Sequence, residues 1–180
     1  MSGYYESKIQ IAHVDEQDVF QGAIERWEAH EKGILHRAFT VGLLYNDRLI
    51  CQHRKHPVFD KWFDLTASSH PQVYEDGTIQ TNEDAIYKTL EREWNIDVEQ
   101  VKGLHSPGAT TYQAHDPHSA YIEHEYCYLY LATIDKLPDF SPDVAYGFTL
   151  QSIKEIKSDA NPLSPALAAW VRAFVTSGLL

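Results

Sequence analysis

The chain alternates between apolar and polar residues over several short stretches, which is the pattern of β-strands that bury one face. Residues 38–45 and 48–53 both show it, and the Asn46-Asp47 pair between them predicts a hairpin with a tight turn. Further strands are predicted at residues 8–14, 61–67, 98–104, 109–113 and 121–134. We expect the polar Ser-Ser-His-Pro stretch to end the strand at residues 61–67, because it cannot continue as regular sheet.

One segment has the period of an amphipathic helix rather than of a strand. The apolar positions between residues 82 and 94 recur at helical spacing and share one face: Ala85, Ile86, Leu90 and Trp94. Thr81 or Asn82 can cap its start, because either side chain can accept a hydrogen bond from a free amide of the first turn. Asn95 can end it, since asparagine tolerates the left-handed conformation that closes many helices.

The order of the elements predicts the fold class. Shorter helices are predicted at residues 149–157 and 164–175, with Pro165 in the first turn of the second. Strands around one long helix, with helices at the end, favour an α/β sandwich of the α+β kind, in which a mixed sheet lies between two helical layers. The 180 residues suit one domain. We expect a lead-in with the first strand at 1–33, a core at 34–157 and a C-terminal helix at 158–180.

The amino-acid composition limits which binding partners and which cellular compartment we expect for this protein. With 26 acidic and 15 basic residues the formal net charge is −11, so we expect no nucleic-acid surface. No apolar run is long enough to span a bilayer and no signal-peptide region is evident, so we expect no membrane partner. Two cysteines, Cys51 and Cys127, are too few for a disulfide framework and favour a reducing, cytoplasmic location. We expect a monomer or a weak homodimer.

The strand predicted at residues 121–134 carries two acidic residues on one face. Side chains alternate along a strand, so Glu123 and Glu125 point to one side and His124 to the other. Two buried carboxylates persist only where a cation, a proton or hydrogen bonds compensate them. Together with neutral imidazoles they would suit a divalent ion such as Mg²⁺, Mn²⁺ or Zn²⁺. The alternative is that both glutamates lie on a solvated edge strand.

Four motifs, in their order and spacing, resemble the type I isopentenyl-diphosphate isomerases. They are Glu-Lys-Gly-Ile-Leu-His-Arg-Ala-Phe-Thr-Val at residues 31–41, Ser-Ser-His-Pro at 68–71, Asn-Glu-Asp-Ala at 82–85 and Ile-Glu-His-Glu at 122–125. The resemblance runs from about residue 8 to about residue 134. It implies a Nudix fold, with the core at residues 34–157. It also implies an enzyme that moves a double bond between isopentenyl and dimethylallyl diphosphate, a small-molecule diphosphate substrate.

The resemblance also implies a metal site and a diphosphate site. The family's metal ligands correspond by position to His30, His36, His70, Glu123 and Glu125. In the family a second ion, Mg²⁺ on the substrate phosphates, is reached from the position that Glu93 occupies here. We therefore expect Mg²⁺ as the cofactor, or alternatively Mn²⁺ or Zn²⁺ at the His/Glu site. The family's cations against the diphosphate correspond to Arg26, Arg54 and Lys88.

The chain differs from the family at one of the two catalytic positions. The family moves protons with a cysteine and a glutamate, and a tyrosine assists. Glu125 and Tyr112 match the glutamate and the tyrosine, but Ser68 stands at the cysteine position. A hydroxyl is far less acidic than a thiol, and loss of one proton-transfer partner costs about 10²- to 10⁴-fold in rate. We therefore expect isomerase activity that is weak or altered.

The family also shields a carbocation with the π face of a tryptophan. The tryptophan position aligns with Asn161 or Pro162 in this chain. We interpret the chain's own tryptophans as core residues and pocket wall: Trp27, Trp62, Trp94 and Trp170.

Two other functions remain open. The Nudix hydrolases use a signature helix whose clustered glutamates bind Mg²⁺ and activate water. Glu93 matches the last of three glutamates, whereas Thr89 and Arg92 replace the other two and Lys88 replaces an arginine. Hydrolysis of a nucleotide-like or prenyl diphosphate is therefore the weaker interpretation. The third function is a catalytically silent protein that only binds a diphosphate.

Overall fold

A computed structural model describes residues 2–180 as a sheet covered by helices. The strands are β1 (Gln10–Val14), β2 (Phe20–Glu25), β3 (His36–Tyr45), β4 (Arg48–Arg54), β5 (Ala67–Ser69), β6 (Lys102–His115), β7 (Ile122–Thr133) and β8 (Ala145–Gln151). The helices are α1 (Ser2–Glu6), α2 (Arg26–Lys32), α3 (Asn82–Trp94), α4 (Ile153–Ile156) and α5 (Ala169–Thr176), with 3₁₀ turns at Val98–Gln100 and Ser164–Ala166. Within the described part of the chain, no helix is long and apolar enough to cross a membrane.

Strand β3 is the centre of the sheet because it pairs along both edges. On one edge it runs parallel to β7, from His36 opposite Glu125 to Leu44 opposite Thr133. On the other edge it pairs antiparallel with β1, β5 and β4 in turn. The outer pairs β6–β7, β1–β2 and β4–β8 are all antiparallel. One parallel pair among antiparallel ones makes the sheet mixed, as predicted.

Helices cover both faces of this sheet. Alternation along β3 sends Phe39 and Val41 to one face, where they pack in a cluster with Ile86 of α3. The neighbouring residue Ala38 faces the opposite side and belongs to a cluster with Trp170 of α5. The predicted α/β/α sandwich is therefore confirmed.

Helix α3 begins and ends where the sequence predicts. The Thr81 side chain accepts a hydrogen bond from the Asp84 amide at 3.1 Å, and Asn95 adopts the left-handed conformation at φ 50° and ψ 40°. Trp94 is fully buried, and its Nε1 donates to the carbonyl of Thr66 at 2.8 Å. That bond ties the last turn of the helix to the segment just before β5.

The prediction of a strand at residues 61–67 is wrong, and so is the expectation that the two serines end it. Lys61 has a φ of 66°, and the chain passes through turns and isolated bridges before β5. Ser68 and Ser69 instead pair in the sheet, opposite Thr40 and Phe39 of β3. A hydrogen bond of 2.8 Å between the Oγ of Ser68 and the Oγ1 of Thr40 offsets the cost of placing hydroxyls there.

Other element boundaries differ from the predicted ones because the neighbouring strands extend beyond the residues that show the alternating pattern. The segment 98–104 begins as a 3₁₀ turn, and residues 109–113 belong to the single bulged strand β6. The helix predicted at 149–157 is shortened to α4 because β8 continues to Gln151, and Pro165 lies in a 3₁₀ turn ahead of α5. Strand β2 and helix α2 were not predicted, since both are short and β2 is an exposed edge strand without clear alternation.

Removal of the α3 N-cap is expected to destabilise the protein. The change Thr81→Ala removes the acceptor for the Asp84 amide, and loss of such a cap costs about 1 kcal/mol. Urea denaturation followed by circular dichroism should show a lower midpoint at an unchanged m-value. Thr81→Ser keeps the hydroxyl and is the control. Equal stability of Thr81→Ala and the wild type would contradict the capping role.

Candidate active site

Five potential metal ligands converge at the N-terminal ends of the parallel strands β3 and β7. Helix α2, strand β3, the segment after β5 and strand β7 supply them: His30, His36, His70, Glu123 and Glu125. Each offers one ligand atom, and these atoms lie within 4.8 Å of one another. The parallel register sets His36 opposite Glu125, and Glu123, two residues earlier, shares its face. The structure thus brings all five predicted residues together.

The imidazoles point their Nε2 atoms at the carboxylates. The Nε2 of His30 lies 3.2 Å from Glu123 Oε2, and the Nε2 of His70 lies 3.1 Å from Glu125 Oε1. The Nδ1 atoms of His30 and His36 each lie 2.7 Å from a backbone carbonyl, which can only accept a hydrogen bond. Each Nδ1 must therefore carry a proton, and in the neutral form of either ring the Nε2 lone pair faces the cluster, as in metal-binding histidines.

Two atoms of the cluster show that the residues fit a cation. The Nε2 of His36 and the Oε2 of Glu123 are buried and have no hydrogen-bond partner. Glu123 is 4% exposed and Glu125 is 7% exposed. A buried carboxylate oxygen without a partner is costly, and a divalent ion would satisfy both orphaned atoms at once. The alternative of a solvated edge strand is wrong, because β7 lies between β3 and β6.

Burial and mutual charge set the protonation of the cluster. Burial lowers the pKa of His36 to about 3 and that of His70 well below its usual range, so both stay neutral at pH 7. Burial also opposes the charging of His30, but the facing Glu123 raises the pKa of His30 above its usual value. Burial and the charge of Glu123 raise the pKa of Glu125. A cation between the carboxylates would relieve this repulsion.

Two buried arginines line a cleft beside the cluster, as the resemblance predicts. The Nη1 of Arg54 donates to Asp64 Oδ2 at 2.8 Å, and its guanidinium lies 4.9 Å from the centre of the Trp170 ring. The guanidinium of Arg26 lies 4.4 Å from the centre of the Trp27 ring. The Nε of both arginines is buried without a hydrogen-bond partner. Such donors are suited to an anionic ligand.

The third cation predicted at the diphosphate, Lys88, does not reach the cleft. It lies on the exposed face of α3, where its Nζ pairs with Asp84 at 2.9 Å, so its assignment to the diphosphate is wrong. Arg92, one turn further along the helix, lies nearer: it donates to Glu93 at 2.8 Å, and its guanidinium lies 3.8 Å from the centre of the Tyr4 ring. Glu93 and Tyr4 both line the cleft.

Two of the predicted catalytic residues, Glu125 and Ser68, line the same cleft, and the third, Tyr112, contacts it through Glu125. The Oη of Tyr112 donates to Glu125 Oε2 at 2.5 Å, because the two residues stand opposite each other in the β6–β7 pair. Burial and the neighbouring Glu125 raise the pKa of Tyr112, which keeps its phenol protonated. Ser68 on β5 lines the cleft together with Glu125.

The tryptophan at the cleft is Trp170, not a residue near 161. Asn161 donates hydrogen bonds to Gln151 and to the carbonyl of Glu155, away from the cleft, so the alignment of the tryptophan position with Asn161 or Pro162 is wrong. The indole of Trp170 lies in the cleft wall, 6.1 Å from the ring of Tyr112. The sequence analysis interpreted Trp170 as a core or pocket-wall residue, which agrees with its place in the cleft wall. Trp170 approaches Tyr112 only because of the packing of α5.

Helix α1 contributes cleft residues that the sequence analysis did not identify. Tyr4 Oη lies 3.2 Å from Ser69 Oγ, and the ring of Tyr5 packs edge-to-face on His56 at 4.6 Å. The Nε1 of Trp27 donates to the carbonyl of Tyr5 at 2.9 Å. These contacts fold the N-terminal segment over the mouth of the cleft. No local pattern in a helix this short indicates where it docks.

The sequence of this chain is similar to those of isopentenyl-diphosphate isomerases. Isopentenyl-diphosphate Delta-isomerase of Pectobacterium atrosepticum is 30% identical over 166 residues, which cover 89% of this chain and 86% of that protein. Isopentenyl-diphosphate Delta-isomerase of Aliivibrio fischeri is 31% identical over 159 residues, which cover 82% of this chain and 77% of that protein. No family model matches the chain.

Solved structures share the fold at low sequence identity. A protein of Deinococcus radiodurans matches with a TM-score of 0.70 and 16% identity over 93% of this chain and 98% of that one. A MutT NUDIX hydrolase of Burkholderia pseudomallei matches with a TM-score of 0.54 and 16% identity over 79% of this chain and 96% of that one. The chain therefore has the Nudix fold.

Divalent metal is expected to stabilise the protein through the His/Glu cluster. Binding to the native state raises the unfolding temperature in proportion to the logarithm of ligand concentration. Added Mn²⁺ or Zn²⁺ should raise the midpoint in a thermal shift assay, and His36→Gln should abolish the rise because it removes one of the five ligands. His53→Gln, on a histidine stacked on Phe63 outside the cluster, is the matched control. An equal metal response in His36→Gln would contradict the site.

Proposed function

The chain belongs to the isopentenyl-diphosphate isomerase family of Nudix-fold enzymes, and on that premise we propose that it is a metal-dependent isomerase of isopentenyl or a related allylic diphosphate. One observation carries the proposal: the five-ligand cluster, two arginines with an unpaired Nε and the Tyr112–Glu125 pair all adjoin a single cleft. A cation site, an anion site and a proton-transfer pair are what this reaction needs together.

The metal would be held by His30, His36, His70, Glu123 and Glu125. When bound, a divalent ion would neutralise the two carboxylates and act as a Lewis acid toward a substrate oxygen. Three imidazoles with two carboxylates favour Mn²⁺ or Zn²⁺ over Mg²⁺ at this cluster, because Mg²⁺ prefers an all-oxygen shell. Glu93 would be the carboxylate ligand of a Mg²⁺ ion that binds together with the substrate phosphates.

The diphosphate would be bound by the arginines of the cleft. The unpaired Nε atoms of Arg26 and Arg54 are buried donors that phosphate oxygens would satisfy. Arg92 would add a third positive charge beside Glu93. Each guanidinium is already held by aromatic rings or by a carboxylate, so little side-chain entropy would be lost on binding.

The isomerisation requires a proton to be added at one carbon and removed from another on opposite sides of the allylic unit. The Tyr112–Glu125 pair would supply one side, since a partly buried phenol donates to a buried carboxylate there in a 2.5 Å hydrogen bond. Ser68 supplies the other side from β5. The indole of Trp170 would shield the intermediate positive charge through its π face.

Hydrolysis has less support than isomerisation. Glu93 is the one carboxylate that occupies a glutamate position of the hydrolase helix, and it already pairs with Arg92. The other acidic candidates are exposed and outside the cleft: Glu75, Asp76, Glu83 and Glu91. Helix α3 therefore supplies one carboxylate to the cleft, where the hydrolase helix supplies a cluster that binds Mg²⁺ and activates water.

The proposed compartment is the cytoplasm, and the proposed partner is the small-molecule diphosphate alone. Both cysteines, Cys51 and Cys127, are buried free thiols, which suits a reducing environment. A monomer or weak homodimer remains a prediction.

Isomerase activity is expected to appear as deuterium incorporation. Protein, Mg²⁺ or Mn²⁺, and isopentenyl diphosphate incubated in D₂O should give deuterated product and substrate by mass spectrometry. Glu125→Gln should lower the rate by about 10²- to 10⁴-fold, because an amide cannot exchange the proton. Glu99→Gln, an exposed glutamate outside the cleft, is the control.

Other outcomes of the same incubation would overturn the proposal. Absence of deuterium from both substrate and product would exclude isomerisation. Release of phosphate or a monophosphate, lost in Glu93→Gln, would instead favour a hydrolase. Thermal stabilisation by the diphosphate without any turnover would favour a silent binding protein.

A thiol at the Ser68 position is expected to raise the rate. Ser68→Cys places a group with a pKa near 8.5 where a hydroxyl stands, so proton transfer at neutral pH should gain up to about 10²-fold. The exchange assay above provides the measurement. Ser106→Cys, an exposed serine on β6, controls for a thiol added elsewhere. A flat response to Ser68→Cys would contradict the role of this position in proton transfer.

A further inference from the structure

The connection between β4 and β5 holds an aromatic residue in an unfavourable backbone conformation. Phe59 has a φ of 54°, in the left-handed region that a bulky side chain rarely adopts. The residue is buried, so this is not the conformation of a loose surface turn. Residues other than glycine keep a positive φ only where surrounding contacts hold them, and such positions are common near functional sites. The contacts of Phe59 therefore indicate its role.

A buried carboxylate from a distant part of the chain holds the backbone of Phe59. The Oδ2 of Asp116, which directly follows β6, accepts a hydrogen bond from the Phe59 amide at 3.1 Å. The same carboxylate accepts from the Ser119 hydroxyl at 2.6 Å and from the His118 amide at 3.1 Å. These bonds fix Asp116 in the connection between β6 and β7, so it is a rigid support for the amide that it binds.

The ring of Phe59 supports the tryptophan of the cleft wall. It meets the indole of Trp170 edge-to-face, with the ring centres 5.4 Å apart and the ring planes at 77°. The guanidinium of Arg54 lies over the same indole, and Asp64 accepts a hydrogen bond from its Nε1 at 2.5 Å. Phe59 adds an edge contact that limits the tilt of the indole.

Backbone hydrogen bonds carry the same support to helix α5. The Phe63 amide donates to the carbonyl of Ala166 at 2.8 Å, and the Ala168 amide donates to the carbonyl of Phe63 at 2.8 Å. Helix α5 begins at the next residue and carries Trp170 in its first turn. The connection that contains Phe59 therefore touches Trp170 through a side chain and is bonded to the backbone just before it.

We propose that Phe59 and Asp116 are positioning residues that act through Trp170. Asp116 holds Phe59 in its left-handed conformation, and the ring of Phe59 holds the indole in the orientation that faces the cleft. Neither Phe59 nor Asp116 lines the cleft itself. The effect on rate rests on the proposed function, in which the indole shields the positive charge of the intermediate. The placement of Trp170 does not depend on that function.

Kinetic coupling between Phe59 and Trp170 tests the proposal. Phe59→Leu keeps an apolar side chain but removes the ring, so kcat for isopentenyl diphosphate should fall by about five- to tenfold as the indole tilts. KM should change by about twofold or less, because Arg54 keeps its bond to Asp64. In the Trp170→Phe background the π face is already weaker, so the same change should lower kcat by about twofold or less.

The matched control is a second edge-to-face pair outside the cleft. Phe148 packs on the buried Trp94 with ring centres 5.8 Å apart, so Phe148→Leu removes a comparable contact and should leave kcat unchanged in both backgrounds. An equal loss of kcat from Phe59→Leu in both backgrounds would overturn the proposal while the isomerase function stands. A loss that Phe148→Leu reproduces would do the same.

Fluorine NMR of protein labelled with fluorotryptophan measures the position of the indole without turnover. The chain has 4 tryptophans, and the resonance that is lost in Trp170→Phe identifies Trp170. Phe59→Leu and Asp116→Asn should both shift or broaden that resonance, the second because it weakens the bond to the Phe59 amide. Asp15→Asn, on a carboxylate that binds two amides of a surface loop, should leave it unchanged.

The two measurements distinguish failure of the proposal from failure of the proposed function. If the wild type does not convert isopentenyl diphosphate, the proposed function fails, and the fluorine resonances still decide whether Phe59 and Asp116 order the indole. A Trp170 resonance that neither variant moves overturns the proposal. Where circular dichroism shows that Phe59→Leu does not fold, Asp116→Asn takes its place in the kinetic cycle, since it keeps the buried ring.

Discussion

Two like charges on one face of a buried strand are the constraint on which this site depends. Glu123 and Glu125 cannot both lose their hydration in the interior of the sheet unless a positive charge compensates them. The neighbouring elements place the other ligands: the parallel β3–β7 register brings His36 opposite Glu125, α2 brings His30, and the exit from β5 brings His70. Backbone carbonyls fix two of the imidazole tautomers. The fold thus positions five ligand groups that a cation would complete.

The acidic character of the whole chain does not oppose an anionic ligand, because buried guanidinium groups line part of the cleft. A net charge of −11 spread over an exposed surface is screened within about 10 Å by salt, whereas a desolvated guanidinium keeps its field. Arg26 and Arg54 are each nearly fully buried and retain an unpaired donor, and Arg92 stands beside them on Glu93. Local burial rather than overall charge decides which ligand this protein can hold.

Local patterns in the sequence predict those strands and helices whose structure is determined by their own residues. Strand alternation places the two glutamates of β7 on one face, and helical period predicts α3 with a cap at Thr81 or Asn82 and an end at Asn95. Strand β2 lacks that signal because it is an exposed edge. Trp170 reaches the cleft only through the packing of α5, which no local pattern encodes. The alignment of Lys88 fails because its helix turns it to solvent, opposite the buried stripe that ends in Trp94.

Replacement of a thiol by a hydroxyl changes what the surrounding residues must supply. A thiol at this position carries its own acidity, so its neighbours need only shape the cleft. A hydroxyl is a poor proton carrier unless an adjacent base supports it. Arg54 lines the same cleft as Ser68 and pairs there with the buried Asp64. The Arg54–Asp64 ion pair and the hydrogen bond from Trp170 to Asp64 therefore hold one wall of the cleft together, so a change at Asp64 would release both side chains.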